Sequence, residues 1–135
     1  MKILVVDDVA IIREMLRVHL EPHYELAFAE NAEQAFGKVA TFKPDAIVLD
    51  VQMPGDMDGY ELCKLIKSIE QFKHIYILML TADWKTVQKE GDDFCADDYT
   101  FKPFYGKDIL AMLQKAFEPL EVTGNNVIRV YQQLA

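Results

Sequence analysis

The sequence predicts an α/β protein built on a doubly wound, five-stranded parallel sheet with helices on both faces. Three observations carry that reading. Short apolar runs rich in β-branched or aromatic residues recur along the chain, segments of helical length separate them, and the stronger runs are continuously apolar rather than alternating. A continuous run marks a strand buried on both faces, and strict strand–helix alternation marks a parallel sheet between helix layers.

The first run, Ile3–Val6, leads into Ile12, Leu16 and Leu20 at i, i+4 and i+8, one face of a helix that Pro22 stops. The second run is Tyr24–Ala29, followed by the stripe Ala32, Ala35, Phe36 and Val39, which Pro44 closes. Ala46–Leu49 is the third strand, and Leu62, Ile66 and Ile69 mark the helix after it. Ile75–Leu80 is the fourth strand. The segment behind it is poor, because Val87 and Phe94 are its only aliphatic or aromatic residues after Trp84, and Gly91, Asp92 and Asp93 weaken a helix interior. Segment 84–94 is therefore expected to be short or irregular. A weaker fifth strand, Tyr99–Phe101, precedes the stripe Ile109, Leu110, Leu113 and Phe117, with Pro119 beyond. Five such units, (βα)5, predict a flavodoxin-like fold with strand order 2-1-3-4-5.

Bulk properties remove several classes of function. Fourteen basic against 22 acidic residues give a net charge of −8, which argues against direct nucleic-acid binding. No apolar stretch approaches the length of a membrane span, and the N-terminus lacks the regions of a secretory signal, so no membrane insertion and a cytoplasmic location are expected. His19, His23 and His74 are scattered, without zinc-ligand spacing. Cys63 and Cys95 form no CxxC and read as reduced core thiols, Cys63 as packing on the third helix.

In an open parallel sheet, ligands sit beyond the carboxyl ends of the strands. Asp7 and Asp8 follow the first strand, Asp50 ends the third, Thr81 the fourth and Lys102 the fifth. Three carboxylates, a hydroxyl and an ammonium at one sheet edge make a phosphoryl-transfer set. The acids hold Mg²⁺ (or Mn²⁺), one acid is the nucleophile, and Lys102 and Thr81 bind phosphoryl oxygens. A lone acid at one of these places reads as a helix cap, Asp7 or Asp8 for the first helix and Asp50 for the loop before the third. The convergent set favours chemistry. Asp97 and Asp98 read as solvated acids at the mouth of the fifth strand.

The stretches "ILVVDD", "DAIVLDVQMPGDMDGYELC", "ILMLTA" and "ADDYTFKPF" together resemble the receiver domain of bacterial response regulators, over residues 1 to about 118. The resemblance implies a two-component or phosphorelay switch. A sensor histidine kinase or histidine phosphotransfer protein would donate to Asp50, and the chain would then alter its binding to an output protein, as a signalling protein rather than an enzyme. It further implies Asp8 as a direct metal ligand, Asp7 acting largely through water, and the Gln52 backbone carbonyl as another oxygen. Thr81 and Lys102 become the phosphoryl partners, Lys102–Pro103 a cis peptide, and Tyr99 the aromatic that turns inward with Thr81 on activation. Gln52 and Asp83 would flank an attacking water and tune the acyl-phosphate lifetime: Gln52 could orient the water, and Asp83 could orient it or repel the phosphoryl group. A monomer or a phosphorylation-linked dimer is expected.

Departures from the family pattern are local. "MPGDMDG" carries one residue more than the usual loop, either Gly55 or Asp56, and Cys95 stands where glycine is usual. Tyr105 and Gly106 replace the usual side-chain cap of the last helix, a loss of typically ~1 kcal/mol. Residues 119–135 lie outside the resemblance. "TGNN" signals a turn; Val127, Val130, Tyr131 and Leu134 then fit a helical stripe, or "VIRVY" a short strand. A frayed tail is the simpler expectation, and a docking or dimerisation arm the sharper one.

Two other functions use related residues. A haloacid-dehalogenase-like phosphatase needs D-x-D after its first strand, where this chain has "DDVA" with Val9 in the second acidic place. A pseudo-receiver scaffold would not need Asp50, Thr81 and Lys102 together.

Overall fold

The computed structural model describes residues 1–82, 95–117, 120–123 and 126–129. The elements run β1 (Lys2–Val6), α1 (Ala10–Leu20), β2 (Glu25–Ala29), α2 (Ala32–Phe42), β3 (Ala46–Asp50), α3 (Gly59–Ser68), β4 (Tyr76–Thr81), β5 (Asp98–Phe101), α4 (Gly106–Ala116), β6 (Leu120–Thr123) and β7 (Asn126–Arg129). Strands β2-β1-β3-β4-β5 form one parallel sheet in that order. The fold class and strand order are those the sequence predicts.

The period-2 alternation of a strand explains why the inner runs are apolar throughout. Ile3, Val5, Val48, Leu78 and Leu80 face one helix layer, where Leu16 and Leu20 of α1 meet Ile109 and Leu113 of α4. Leu4, Val6, Ile47, Leu49, Ile77 and Met79 face the other, against Ala35 and Val39 of α2 and Leu62, Cys63 and Ile66 of α3. Each inner strand therefore feeds two cores at once. At the edge, β5 is only half-buried, which is why its run is the weakest in sequence.

Helix starts follow local chemistry. Asn31 caps α2 by accepting from the Gln34 N–H at 2.8 Å, and Asp58 caps α3 by accepting from Glu61 at 2.8 Å. Neither α1, whose N-cap is Val9, nor α4, whose N-cap is Tyr105, has a side-chain cap. Asp7 and Asp8 thus do not cap α1, and the capless start expected at Tyr105 is found.

Two expectations are corrected. Ile69, counted in the third stripe, is the extended C-cap of α3 rather than a helical residue. Asp97 is exposed, as expected of an acid at the mouth of the fifth strand, and its Oδ2 also accepts from Lys67 Nζ at 2.7 Å and from the Ile77 N–H at 2.8 Å, fastening α3 to the start of β4. The helical reading of the tail fails over Asn126–Arg129, because these residues pair antiparallel with Leu120–Thr123, Thr123 opposite Asn126. The strand alternative therefore prevails over the described residues Asn126–Arg129. The expected irregularity of segment 84–94 falls outside the described residues, as do Asp83 and Trp84.

Candidate functional site

The carboxyl ends of β1, β3, β4 and β5 meet at one edge of the sheet. Asp50 is the last residue of β3 and Thr81 the last of β4, and both are 2 % exposed. Lys102, one past β5, donates its backbone N–H to the Thr81 carbonyl at 2.9 Å, and its Nζ reaches Asp50 Oδ1 at 2.6 Å. The Gln52 N–H also approaches Asp50 Oδ1, at 3.3 Å. One oxygen of each of Asp7, Asp8 and Asp50 lies within 4.8 Å of the others. The structure thus brings together Asp7, Asp8, Asp50 and Lys102, with Thr81 at the end of the neighbouring strand β4.

Asp7 is held on nearly every side. Its N–H continues the β1–β2 ladder to the Ala29 carbonyl at 3.1 Å, and Arg13 Nη1 donates to its carbonyl at 2.8 Å. Its Oδ1 accepts from the Val9 N–H at 2.9 Å. Oδ2 is buried without a hydrogen-bond partner among the described residues. Burying a carboxylate oxygen unpaired is costly, so this orphan needs a donor or a cation. Oxygen ligands from three acids suit a hard divalent ion of the Mg²⁺ type. The residues present fit such an ion, with Asp8 exposed on its solvent side.

Electrostatics point the same way. Burial raises the Asp50 carboxyl above its ordinary 3.8; the Lys102 hydrogen bond and charge and the Gln52 N–H oppose that rise, while Asp8 adds to it. Burial also raises Asp7; the Val9 N–H opposes this, and the Asp50 charge reinforces it. Two buried acids beside a third exposed one are short of positive charge, and Lys102 supplies one unit only.

Local packing sets where Asp50 sits. The Gly59 N–H donates to the Val51 carbonyl at 2.9 Å, seating the first residue of α3 on the end of β3. A Cβ at Gly59 would lie 2.0 Å from the Asp50 carbonyl oxygen, so only glycine permits this approach. The longer loop between them contains Gly55 at φ 109°, a left-handed turn that favours glycine.

Tyr99 on β5 is 39 % exposed and stacks edge-on against Phe101, ring centroids 5.4 Å apart. The Lys102–Pro103 peptide is cis, as the resemblance implies. Gln52 is exposed beside Asp50. Arg13, Asp58 and Gly59 shape the site without having been singled out from sequence. Only "DG" before a helical stripe signalled the last two, and Arg13 carries no sequence signal.

A sequence model of the response regulator receiver domain matches residues 3–114. The chain belongs to that family. This receiver domain is 41 % identical over 133 residues to the phosphate regulon transcriptional regulatory protein PhoB of Pseudomonas aeruginosa, covering 90 % of this chain and 58 % of PhoB. It is 40 % identical over 123 residues to the alkaline phosphatase synthesis transcriptional regulatory protein PhoP of Bacillus subtilis, covering 90 % of this chain and 50 % of PhoP. The chain therefore spans about half the length of these relatives. The solved chemotaxis response regulator CheY4 of Vibrio cholerae matches the receiver at 34 % identity and a TM-score of 0.77, over 86 % of this chain and 98 % of CheY4. Among the described residues, no helix is long and apolar enough to cross a membrane.

Proposed function

We propose that this receiver domain works as a phosphorylatable switch whose phosphoacceptor is Asp50. The observation that carries the reading is the contact of Lys102 Nζ with Asp50 Oδ1 at 2.6 Å, beside two further acids, in a chain of the receiver family. An Asp50 oxygen attacks the phosphorus of a phosphohistidine donor, the P–N bond breaks, and its electron pair returns to the imidazole. Lys102 holds a positive charge where the anionic phosphoryl oxygens arrive, and the Thr81 hydroxyl completes their binding. Asp7, Asp8, Asp50 and the Gln52 carbonyl would hold Mg²⁺ or Mn²⁺, which when bound supplies the charge that lets two anions meet.

Once formed, the acyl phosphate adds about 1.5–2 negative charges at Asp50. Thr81 is drawn toward them and Tyr99 turns from its exposed position into the space released, a two-state element biased by a local charge. Gln52 and Asp83 set how readily water reaches the phosphorus. The donor is a sensor histidine kinase or a histidine phosphotransfer protein. With 22 acidic against 14 basic residues, the domain passes its signal to a partner protein rather than touching nucleic-acid phosphates itself. Residues 1–118 are the receiver, and the hairpin beyond is a separate short appendage for docking or dimerisation. Neither the phosphatase nor the scaffold reading gains support from the family match, and Val9 still stands where a phosphatase needs its second acid.

The test is incubation with acetyl phosphate and Mg²⁺, read by intact mass and by turnover of a phosphomonoester. One acid-stable, base-labile phosphoryl group per chain without ester turnover is expected. Sustained ester hydrolysis, or no adduct at all, overturns the proposal.

A further inference from the structure

Arg13 stands in the first turns of α1, outside the set of acids, lysine and threonine, yet it reaches the turn that carries two of those acids. Helical side chains point toward the helix N-terminus, so position 13 leans back over residues 7–9. Nη1 donates to the Asp7 carbonyl at 2.8 Å, and Nη2 lies 3.3 Å from Oε1 of Glu30, just past β2. The Arg13 side chain is 18 % exposed and that of Glu30 62 %. The first contact is therefore half-buried, and the second faces water.

Asp7 and Asp8 lie on the short connection between Val6, which ends β1, and Ala10, which begins α1. The Asp7 carbonyl falls past the end of β1 and before the first carbonyl that α1 uses, that of Val9, which accepts from the Ile12 and Arg13 N–H groups at 3.1 and 3.2 Å. Its donor is the Arg13 side chain instead. Val9 provides no side-chain cap that could fix the chain at this entry. Meanwhile Asp7, Asp8 and Asp50 each place an oxygen within 4.8 Å of the others, and like charges at that range push the turn away from β3. A bond that fixes the turn against this repulsion keeps the oxygens where a cation needs them.

We propose that Arg13 is a positioning residue for the divalent cation: its hold on the Asp7 carbonyl keeps the Asp7 and Asp8 carboxylates gathered toward Asp50 before the ion arrives. The inference rests on the metal-assisted switch proposed above. Arg13 contributes no ligand atom and acts through the backbone of Asp7. The sign of its effect separates this role from simple electrostatics. A side chain acting by positive charge alone repels a cation, so its removal would tighten binding, whereas loss of a positioning bond loosens it. Removing partners that orient metal ligands typically costs about 10- to 100-fold in metal affinity.

Electron paramagnetic resonance of free Mn²⁺, in titrations of the full chain, gives the dissociation constant without reference to turnover. Arg13→Met should raise that constant at least ~10-fold. Labelling by acetyl phosphate should then reach its maximum rate only at correspondingly higher Mg²⁺. Glu30→Gln removes only the water-facing ion pair, and such pairs are worth little, so the constant should change by less than about two-fold. Arg13→Gln, shorter and uncharged, answers the same question should Arg13→Met fold poorly. A constant within about two-fold of wild type, or below it, in a folded Arg13 variant overturns the role of Arg13 alone. So does a rise in Glu30→Gln equal to that in Arg13→Met. A wild type that binds no Mn²⁺ overturns the metal-assisted reading, and this inference with it.

Discussion

Gly59→Ala tests whether the α3 start positions Asp50. The added Cβ would lie 2.0 Å from the Asp50 carbonyl oxygen and 2.9 Å from the Asp50 carbonyl carbon and Val51 Cα. Real Cβ atoms essentially never come within 3.0 Å of such a neighbour, so the two backbones must part by about 1 Å. The 2.9 Å bond from the Gly59 N–H to the Val51 carbonyl then stretches past hydrogen-bonding range. Its loss costs about 1 kcal/mol. Strain in the packed surroundings costs a further ~1–3 kcal/mol. Alanine's better helix propensity returns at most ~1 kcal/mol. The net loss is about 1–3 kcal/mol, which lowers the urea midpoint by about 0.5–1.5 M at an m-value near 2 kcal/mol/M. Circular dichroism during urea titration measures it. Because a misplacement of about 1 Å can slow a positioned reaction by about a hundred-fold, labelling by acetyl phosphate should fall at least ~10-fold. A midpoint within ~0.3 M of wild type, with unchanged labelling, would refute the positioning argument.

Further predictions concern the acids and the α3 anchor. Asp7→Asn keeps the acceptor for the Val9 N–H and replaces the orphan oxygen with a donor, so in chelator it should melt higher than wild type, and added Mg²⁺ should stabilise it less. A wild type whose melting temperature ignores Mg²⁺ would sink this. Asp7 and Asp50 have folded-state values raised above 3.8, so the stability they contribute is fully present below 3.8 and is lost as the pH rises through the raised values. In chelator, the advantage of Asp7→Asn in melting temperature should therefore grow between about pH 4 and about pH 7, and a flat difference contradicts the burial argument. Lys67→Met removes donors to Lys73 O, Ile75 O and Asp97 Oδ2 at 3.2, 2.7 and 2.7 Å. It should cost about 1–3 kcal/mol in urea unfolding, and a change below ~0.5 kcal/mol would show the network to be idle.

Much of this molecule is legible from local pattern. Ile3 to Val6 announce a strand buried on both faces, and the stripes at Leu16, Val39, Leu62 and Leu113 mark the helices that cover it. Asp50, Thr81 and Lys102 are found by the rule that strand ends converge, which needs only topology. What escapes is long-range. Arg13 binds the Asp7 carbonyl and Asp97 binds Lys67 through side chains whose partners no period or motif specifies. The tail misleads for a different reason. Over so few residues, Val127 fits a helical stripe as well as a strand, and only the pairing of Asn126–Arg129 with Leu120–Thr123 decides there.

The central claim is that Asp50, among three neighbouring acids, takes the phosphoryl group. Borohydride reduction of acetyl-phosphate-treated protein converts an aspartyl phosphate to homoserine, which peptide mass sequencing places to the residue. The account predicts homoserine at position 50 alone, dependent on Mg²⁺ and absent in Asp50→Asn. Homoserine at position 7 or 8, or a label that persists in Asp50→Asn at the wild-type extent, would contradict it.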